Sequence, residues 1–484
     1  MKIRLITLFI SIFYLSFTLK AQDKPNILFL FSDDQRADAI GAFGNPYIQT
    51  PNIDKLAYTG MRFTNNFCMG SHHGAVCAPS RAMLMSGRNL FRVYDKLDGI
   101  KTMPMVLGEH GYITFGTGKW HNEKTAFADG FQFGENIFFG GMSDHFNVPV
   151  VDMKENGSFT DVTKKGFSTV VFTDAAIRFI KEYSKGEKDK PFFAYVSYTV
   201  PHDPRSPDKD YIGLYGDENL PIPQNYMRKH PFILQDARGR DENLGAWPRS
   251  PEQIRAQLAD YYGLISQLDD QVGRLLNTLK KLEMYDNTII IFTSDHGLGM
   301  GSHGLLGKQN LYEHSMKSPL IITGPGIPVN QSSDALVYLY DLFPTFCSML
   351  DIQPPAGVEG KDITPIIYQE QLEVRSSLFT AYTNYQRAVR NKRWKLIQFP
   401  KLNHTLLFDL QDDPYELNNL ADDDIHSGKV SEMWQLLEKW QVSTGDTIKL
   451  VSQNPQPMDY DLSDHIRKPD RHQPEYTLKK YFED

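Results

Sequence analysis

The sequence predicts an α/β protein built on a large, mostly parallel sheet with helices on both faces. Three observations carry this. Short apolar runs rich in β-branched and aromatic residues recur at 26–32 (NILFLFS), 112–117 (YITFGT), 192–199 (FFAYVSYT), 288–294 (TIIIFTS) and 319–323 (PLIIT). Their hydrophobicity is unbroken rather than alternating, as in strands buried on both faces. The segments between them are long enough for the crossover helices that parallel neighbours require.

Taken in order, the first strand leads into Asp33-Asp34, the second into "GKWH" with Lys119 and His121, the third into Pro201-His202, and the fourth into Asp295-His296-Gly297. After the first strand, Pro79 suits the first turn of a helix over 80–86 and Gly87 its end, which puts Cys77 at the helix amino terminus. A long helix starts at Ser250-Pro251, a cap and a first-turn proline. In it Ile254, Leu258, Tyr261, Ile265, Leu268, Val272, Leu275, Leu279 and Leu282 alternate steps of four and three, one stripe for the sheet to cover. Cys347 falls in an apolar helical pattern over 340–350 and reads as a core thiol.

The texture changes near 351–373, where "DIQPPAGVEG" is a connector. Beyond it "LFTAYT", "YQRAVRN", "RWKLIQF" and "HTLLFDL" read as short antiparallel strands, followed by an amphipathic helix near 430–440 and a polar, proline-rich tail. The expected organisation is a signal peptide over 1–21, an N-terminal domain over 22–369 and a C-terminal subdomain with an irregular tail over 370–484.

The signal peptide rests on Lys2 and Arg4 before an apolar run from Leu5 to Leu19, with the small Ala21 after it. The run falls short of the ~20 residues of a membrane span. An exported protein, periplasmic or secreted and without a span, is expected. A formal net charge of -8 offers no broad basic face, so no nucleic-acid partner is expected. Three cysteines are an odd number and too few for a disulfide framework. In "CMGSHHGAVCAPSRAMLMSGR" Cys77 has four readings: a bridge to Cys68, a metal site with His72 and His73, a nucleophile, or core filling.

Ligands of open α/β sheets bind in the crevice beyond the strands' carboxyl ends, so these distant clusters can converge. Asp33, Asp34 and Asp295 offer hard oxygen ligands, and His296 can complete the shell of a divalent cation. Without a cation such carboxylates repel one another. Either cluster alone is equally well read as a helix cap or a turn; the pair at strand ends is what points to a metal. Arg81, Lys119 and Lys308 suit the oxygens of a tetrahedral anion, and His121 and His202 can move protons. A free thiol at Cys77 would be oxidised in an exporting compartment, which points to a deliberate modification.

"CAPSRAMLMSGR" resembles the C-x-P-S-R signature, with its small-residue-Gly-Arg end, of the formylglycine-dependent sulfatases. The ordered set "NILFLFSDDQR", "GKWH", "PHDP", "TSDHG", the "GK" before Tyr312-Glu313, and "RWKLI … LFDLQDDPYELNNLA" extends the resemblance over nearly the whole chain. It implies an alkaline-phosphatase-like fold, with the N-terminal domain catalytic. It also implies one calcium ion held by Asp33, Asp34, Asp295 and His296, touching a formylglycine (3-oxoalanine) made from Cys77 by a formylglycine-generating or anaerobic sulfatase-maturating enzyme. Arg81 would steady the modified side chain and Lys119 and Lys308 would hold sulfate oxygens. His202, with Lys308, would protonate or orient the leaving alcohol. The hydrated aldehyde would attack sulfur to give a covalent sulfate ester, and His121 would then take a proton from its second hydroxyl to expel sulfate.

Many members carry Asn where this chain has His296, and nitrogen is softer than calcium prefers, so magnesium and manganese stand behind calcium as alternatives. His72, His73, His303 and Arg205 lie outside the family's core set. The wider resemblance is to bacterial polysaccharide sulfatases of marine flavobacteria, which implies a sulfated oligosaccharide or polysaccharide, ulvan first. The alternatives are a phosphodiesterase or phosphonate monoester hydrolase on the same plan, and a non-catalytic carbohydrate-binding relative.

Overall fold

The computed structural model describes residues 24–186, 190–216, 219–234 and 238–482. The expected signal peptide lies outside the described residues. The main sheet takes β1 (Asn26–Asp33), β2 (Met61–Phe67), β3 (Ile113–Lys119), β4 (Phe133–Phe138), β5 (Phe192–Pro201), β6 (Thr288–Ser294), β7 (Lys317–Thr323) and β8 (Gln331–Ser333). Their spatial order is β8-β2-β7-β6-β1-β5-β3-β4, and the short Val337–Tyr338 strand also joins β2. From β6 to β4 the pairing is parallel. At β7 the direction reverses against both β6 and β2, so the "PLIIT" run is an antiparallel member. β2, "MRFTNNF", has no apolar run to betray it: its polar positions reflect a strand beside the edge, only partly covered.

β1 shows why the strands read as unbroken hydrophobes. Ile27, Phe29 and Phe31 face one core and Leu28 and Leu30 the other. The first core includes Met83 and Met85 of α1 (Cys77–Ser86). The second takes Phe172 and Ile180 of α2 (Ser168–Lys185), with Leu264, Leu268 and Val272 of α3 (Pro251–Lys281). The Ser250 hydroxyl caps α3 by accepting the Gln253 N–H at 3.2 Å, and the expected stripe is buried from Ile254 to Leu279. Leu282 lies just past the helix end and is half-buried. Cys347 sits in α4 (Leu342–Met349), 1 % exposed.

The four C-terminal runs form β9 (Leu378–Tyr382), β10 (Gln386–Arg390), β11 (Trp394–Phe399) and β12 (His404–Asp409), an antiparallel sheet covered by α5 (Ser427–Thr444). Gly70–Ser71, a few residues before Cys77, adds to β9 as a parallel strand. There a Cβ on Gly70 would lie 1.9 Å from the Ala381 carbonyl oxygen, so this junction admits only glycine. The tail is irregular as far as a short helix, α6 (Glu475–Tyr481). The Cys68–Cys77 bridge does not form: Cys68, Cys77 and Cys347 are all free and buried, and the Cys68 sulfur instead accepts the Gly70 N–H at 3.3 Å.

Candidate active site

The carboxyl ends of β1, β3, β5 and β6 deliver Asp33, Lys119, Pro201-His202 and Asp295-His296 to one crevice. Register brings them level, with Ser32 opposite Ser294 and Asp33 opposite Pro201. Asp34 and His121 hold left-handed backbone, φ 65° and 62°, a conformation non-glycine residues keep only where the surroundings enforce it. Gly118, at φ 87°, lets β3 run so close to β5 that a Cβ would stand 1.8 Å from the Ser197 carbonyl oxygen.

Cys77 opens α1, which Gly87 closes in left-handed conformation with its N–H on the Met83 carbonyl at 2.8 Å. The thiol faces the strand ends: its sulfur is 3.3 Å from His296 Nε2, 3.4 Å from Lys308 Nζ and 3.6 Å from Asp34 Oδ1. Burial pushes this thiol well above its ordinary value, against the pull of Lys119 and Lys308.

Asp34, Cys77, Asp295 and His296 each offer a ligand atom, and these atoms lie within 4.8 Å of one another. His296 Nδ1 meets the Gly297 carbonyl at 2.9 Å, which turns a lone pair on Nε2 toward the cluster, the usual arrangement of a metal-binding histidine. Asp33 is turned the other way: its oxygens take Lys119 Nζ at 2.5 Å and Arg81 at 3.3 Å. Burial, with Asp295 and Asp34 adding to it, pushes the Asp33 carboxyl up to about 8 even with Lys119 and Arg81 alongside. Against its own burial, Asp295 is held well below the carboxylate range by His296, Arg81 and Lys119. Two hard carboxylates and an oriented imidazole, with the Cys77 position beside them, fit a divalent ion.

The cations surround this cluster. Lys308 Nζ lies 2.7 Å from both oxygens of Asp34. Arg81 reaches past Cys77 and pins the strand ends, donating to the Lys119 carbonyl at 2.8 Å and to Ser197 Oγ at 2.6 Å, with a contact of 3.4 Å to Asp295. Arg81, Lys119, Asp33, Asp295 and His296 are fully buried. Cys77, His121, His202 and Lys308 line a cavity of about 920 Å³, large enough for a sugar. Burial first, then Lys119, Arg81 and Lys308, hold His121 well below its usual range, and its Nδ1 is buried without a partner. The setting disfavours the charged ring and leaves that nitrogen unused. His202 is also held low, by burial and then by Lys308, Lys119 and Arg240.

Every residue picked out as a core candidate therefore reaches one site, Asp33 with its side chain turned to the cations. The four undecided residues turn to partners outside this cluster. His72 Nε2 meets the Leu90 carbonyl at 2.6 Å, His73 pairs with Asp95 at 2.7 Å, His303 stacks on Tyr312 at 3.9 Å, and Arg205 is buried on Gln257. Sequence reasoning missed Glu242, whose carboxylate accepts the Gly307 N–H at 2.8 Å and so braces the Lys308 loop, and Asn122, which holds the Ala78 carbonyl at 3.1 Å. It also missed Asp203, Arg240 and the 470–474 tail segment. Asp203 adjoins His202 in "PHDP"; the others carry no periodicity or motif.

A nucleophile position beside a metal-competent cluster, ringed by cations and imidazoles, defines a hydrolase of esters of tetrahedral oxyacids. A family model described as "Sulfatase" matches residues 25–352, and one described as "N-sulphoglucosamine sulphohydrolase, C-terminal" matches residues 301–443. The chain belongs to the sulfatase family and is a sulfuric ester hydrolase. It is 26% identical to an N-acetylglucosamine-6-O-sulfatase of Bacteroides thetaiotaomicron, over 86% of each chain. It is 28% identical to an ulvan-active sulfatase of Formosa agariphila, over 89% of this chain and 84% of that one. A structure solved in complex with its substrate D-glucosamine-2-N,6-O-disulfate superposes with a TM-score of 0.74 at 26% identity, over 88% of this chain and 99% of that one. The fold is the alkaline-phosphatase-like sulfatase fold, and these matches do not favour the phosphonate hydrolase alternative. Among the described residues no helix is long and apolar enough to cross a membrane.

Proposed function

We propose that the protein is an exported sulfatase that removes sulfate from a sulfated carbohydrate, using a formylglycine made from Cys77 and one calcium ion. The observation that carries this reading is the convergence of the Cys77 sulfur, Asp34, Asp295 and His296 within 4.8 Å, with Lys308 in contact and the cavity open beside them. Asp34, Asp295, His296 and the modified Cys77 would hold the ion, and Asp33 would join them by turning its carboxylate from Lys119, with magnesium or manganese next in order after calcium. When bound, the ion supplies Lewis-acid polarisation of a sulfate oxygen and of the nucleophile.

The chain's own residues do the rest. Lys119 and Lys308 bind sulfate oxygens, giving charge-assisted hydrogen bonds in a buried setting. Arg81 fixes the carboxylates and the carbonyl of Lys119. His202 and Lys308 face the leaving alcohol; bound sulfate offsets the cations that keep the His202 ring neutral, and so favours its protonation. His121, neutral and with a free nitrogen, is poised as the base that regenerates the modified residue. Modification of Cys77 requires a formylglycine-generating or anaerobic sulfatase-maturating enzyme in the producing cell.

The carbohydrate reading draws support from the substrates named for the relatives and from the size of the cavity. Fragments of ulvan come first, with N-acetylglucosamine-6-sulfate beside them. The mass of the peptide containing Cys77, from protein produced with a maturation enzyme, tests the modification: loss of the thiol in favour of an aldehyde is expected, and an unmodified thiol in active enzyme overturns it. Sulfate release from a panel of sulfated oligosaccharides, set against phosphate and phosphonate esters, tests the substrate class.

A further inference from the structure

We propose that the C-terminal tail is part of the leaving-group machinery: Gln473, together with Arg240, locks the Asp203 carboxylate that orients the His202 ring. The inference rests on the reading of His202 as the residue facing the leaving alcohol. Gln473 and Arg240 are then positioning residues for the reaction.

A continuous hydrogen-bond chain on one wall of the cavity is the basis. His202 Nδ1 lies 2.7 Å from the Asp203 carbonyl oxygen and 3.2 Å from Asp203 Oδ1. The opposite nitrogen, Nε2, points to the reaction centre, 3.8 Å from Asp34 Oδ2. Asp203 Oδ2 accepts from Gln473 Nε2 at 2.6 Å and from an Arg240 terminal nitrogen at 3.1 Å. The other terminal nitrogen of Arg240 is 3.4 Å from His202 Nε2, and the guanidinium also pairs with Asp241. Asp241 accepts from Gln309 Nε2 at 2.8 Å, and Gln309 Oε1 accepts the Lys308 N–H at 3.0 Å. The chain starts in the tail and ends at the loop that carries Lys308.

Gln473 is no loose end. It is buried, 8 % exposed, and the tail is anchored on either side of it. Downstream the Tyr476 hydroxyl donates to Asp144 at 2.8 Å and the Tyr481 hydroxyl to the Arg205 carbonyl at 3.0 Å; upstream His465 Nε2 lies 2.8 Å from Asn243 Oδ1. Asp470, Arg471 and His472 line the cavity itself. Arg240 is shared between Asp203 and Asp241, so the neutral amide of Gln473 supplies the second donor that Asp203 needs. Without it Oδ2 keeps one donor, and the carboxylate can turn away from Nδ1, leaving the ring held by the Asp203 carbonyl alone. A misplacement of about 1 Å in a catalytic group can cost on the order of 100-fold in rate.

The signature is dependence on the leaving group. Help from an acid matters little for an acidic phenol and most for a poor leaving group. The experiment measures kcat and KM on aryl sulfates running from 4-nitrophenyl sulfate to phenyl sulfate, for wild type, Gln473→Ala, Gln473→Asn, Arg240→Lys and His202→Ala. Gln473→Ala is expected to lose roughly 10-fold or more in kcat on phenyl sulfate and less than about 3-fold on 4-nitrophenyl sulfate, with KM little changed. Gln473→Asn, which keeps the amide but shortens the reach, and Arg240→Lys should steepen the series in the same direction, and they carry the test if the alanine variant misfolds. A uniform loss along the series, or none, in the Gln473 variants beside a steepened series in His202→Ala overturns the inference and leaves His202 facing the leaving group. An unsteepened series in His202→Ala overturns that reading and this inference with it.

Discussion

Replacing Cys77 tests whether the group at this position is the nucleophile. A free thiol, with an ordinary pKa of about 8.5, is ionised to only a few per cent at pH 7. Burial pushes the Cys77 thiol well above that range, so the unmodified residue is a weaker nucleophile still, although Lys308 and His296 stand within 3.4 Å of its sulfur. The site is built around this position but the thiol is unsuited to it, which is what a precursor requires. Removing the nucleophile of a hydrolase costs on the order of 10⁶ in kcat. Cys77→Ala deletes one sulfur from a site that is 2 % exposed, so loss of stability is expected to be modest, about 1–2 kcal/mol. Hydrolysis of 4-nitrophenyl sulfate is the assay, with bound metal and melting temperature as checks on the fold. Both Cys77→Ala and Cys77→Ser should be inactive while staying folded. Turnover by Cys77→Ala within about tenfold of wild type would refute a role for any group at this position, since effects smaller than ~1.4 kcal/mol are within reach of repacking alone.

Other outcomes follow from the same geometry. Lys308→Ala should lower kcat by roughly 100- to 1000-fold, the usual cost of one buried oxyanion donor, and steady-state kinetics on the same ester measures it. Asp34→Asn and Asp295→Asn should lose the divalent ion counted by elemental analysis, and chelation should lower the wild-type melting temperature; an ion at 100 times its Kd contributes about 2.7 kcal/mol. The acid limb of stability should carry His303 and His230, which burial lowers to about 4 and about 3. The unfolded chain takes up a proton on each near pH 6.5 and the folded one does not, so stability is full above about 6.5 and falls by about 1.4 kcal/mol per pH unit per histidine toward 4. In denaturant titrations His303→Gln should therefore shed about one proton's worth of that slope.

What was legible in the sequence depended on locality. β1 could be read because Ile27 to Phe31 are covered on both faces, and α3 because its stripe and Ser250-Pro251 cap are properties of neighbouring residues. β2 could not, because Arg62, Thr64 and Asn65 lie on partly covered ground and nothing local marks them as strand. Most of the core site was legible because its pieces sit at strand ends or on the first turns of a helix, where topology brings polar residues into the crevice, and Lys308, in a loop, was legible because the ordered motifs resemble one family. Asp33 shows the limit of that logic. It stands at the expected place, but its two oxygens go to Lys119 and Arg81, a choice of rotamer and partner that spacing does not encode.

The tail shows a different limit. "QNPQPMDYDLSDHIRKPDRHQPEY" is polar and rich in proline, the composition of an irregular segment, and over most of its length it is irregular. Irregular backbone is not the same as an unimportant position. Gln473 reaches Asp203 across 270 residues of sequence, and Tyr476 reaches Asp144 across 332, through single side-chain contacts that leave no periodic trace. Catalytic-site walls assembled this way are invisible to pattern reading in principle, because each contact constrains one residue at one distance. They become visible only when the carboxylate at Asp203 is asked where its hydrogen bonds come from.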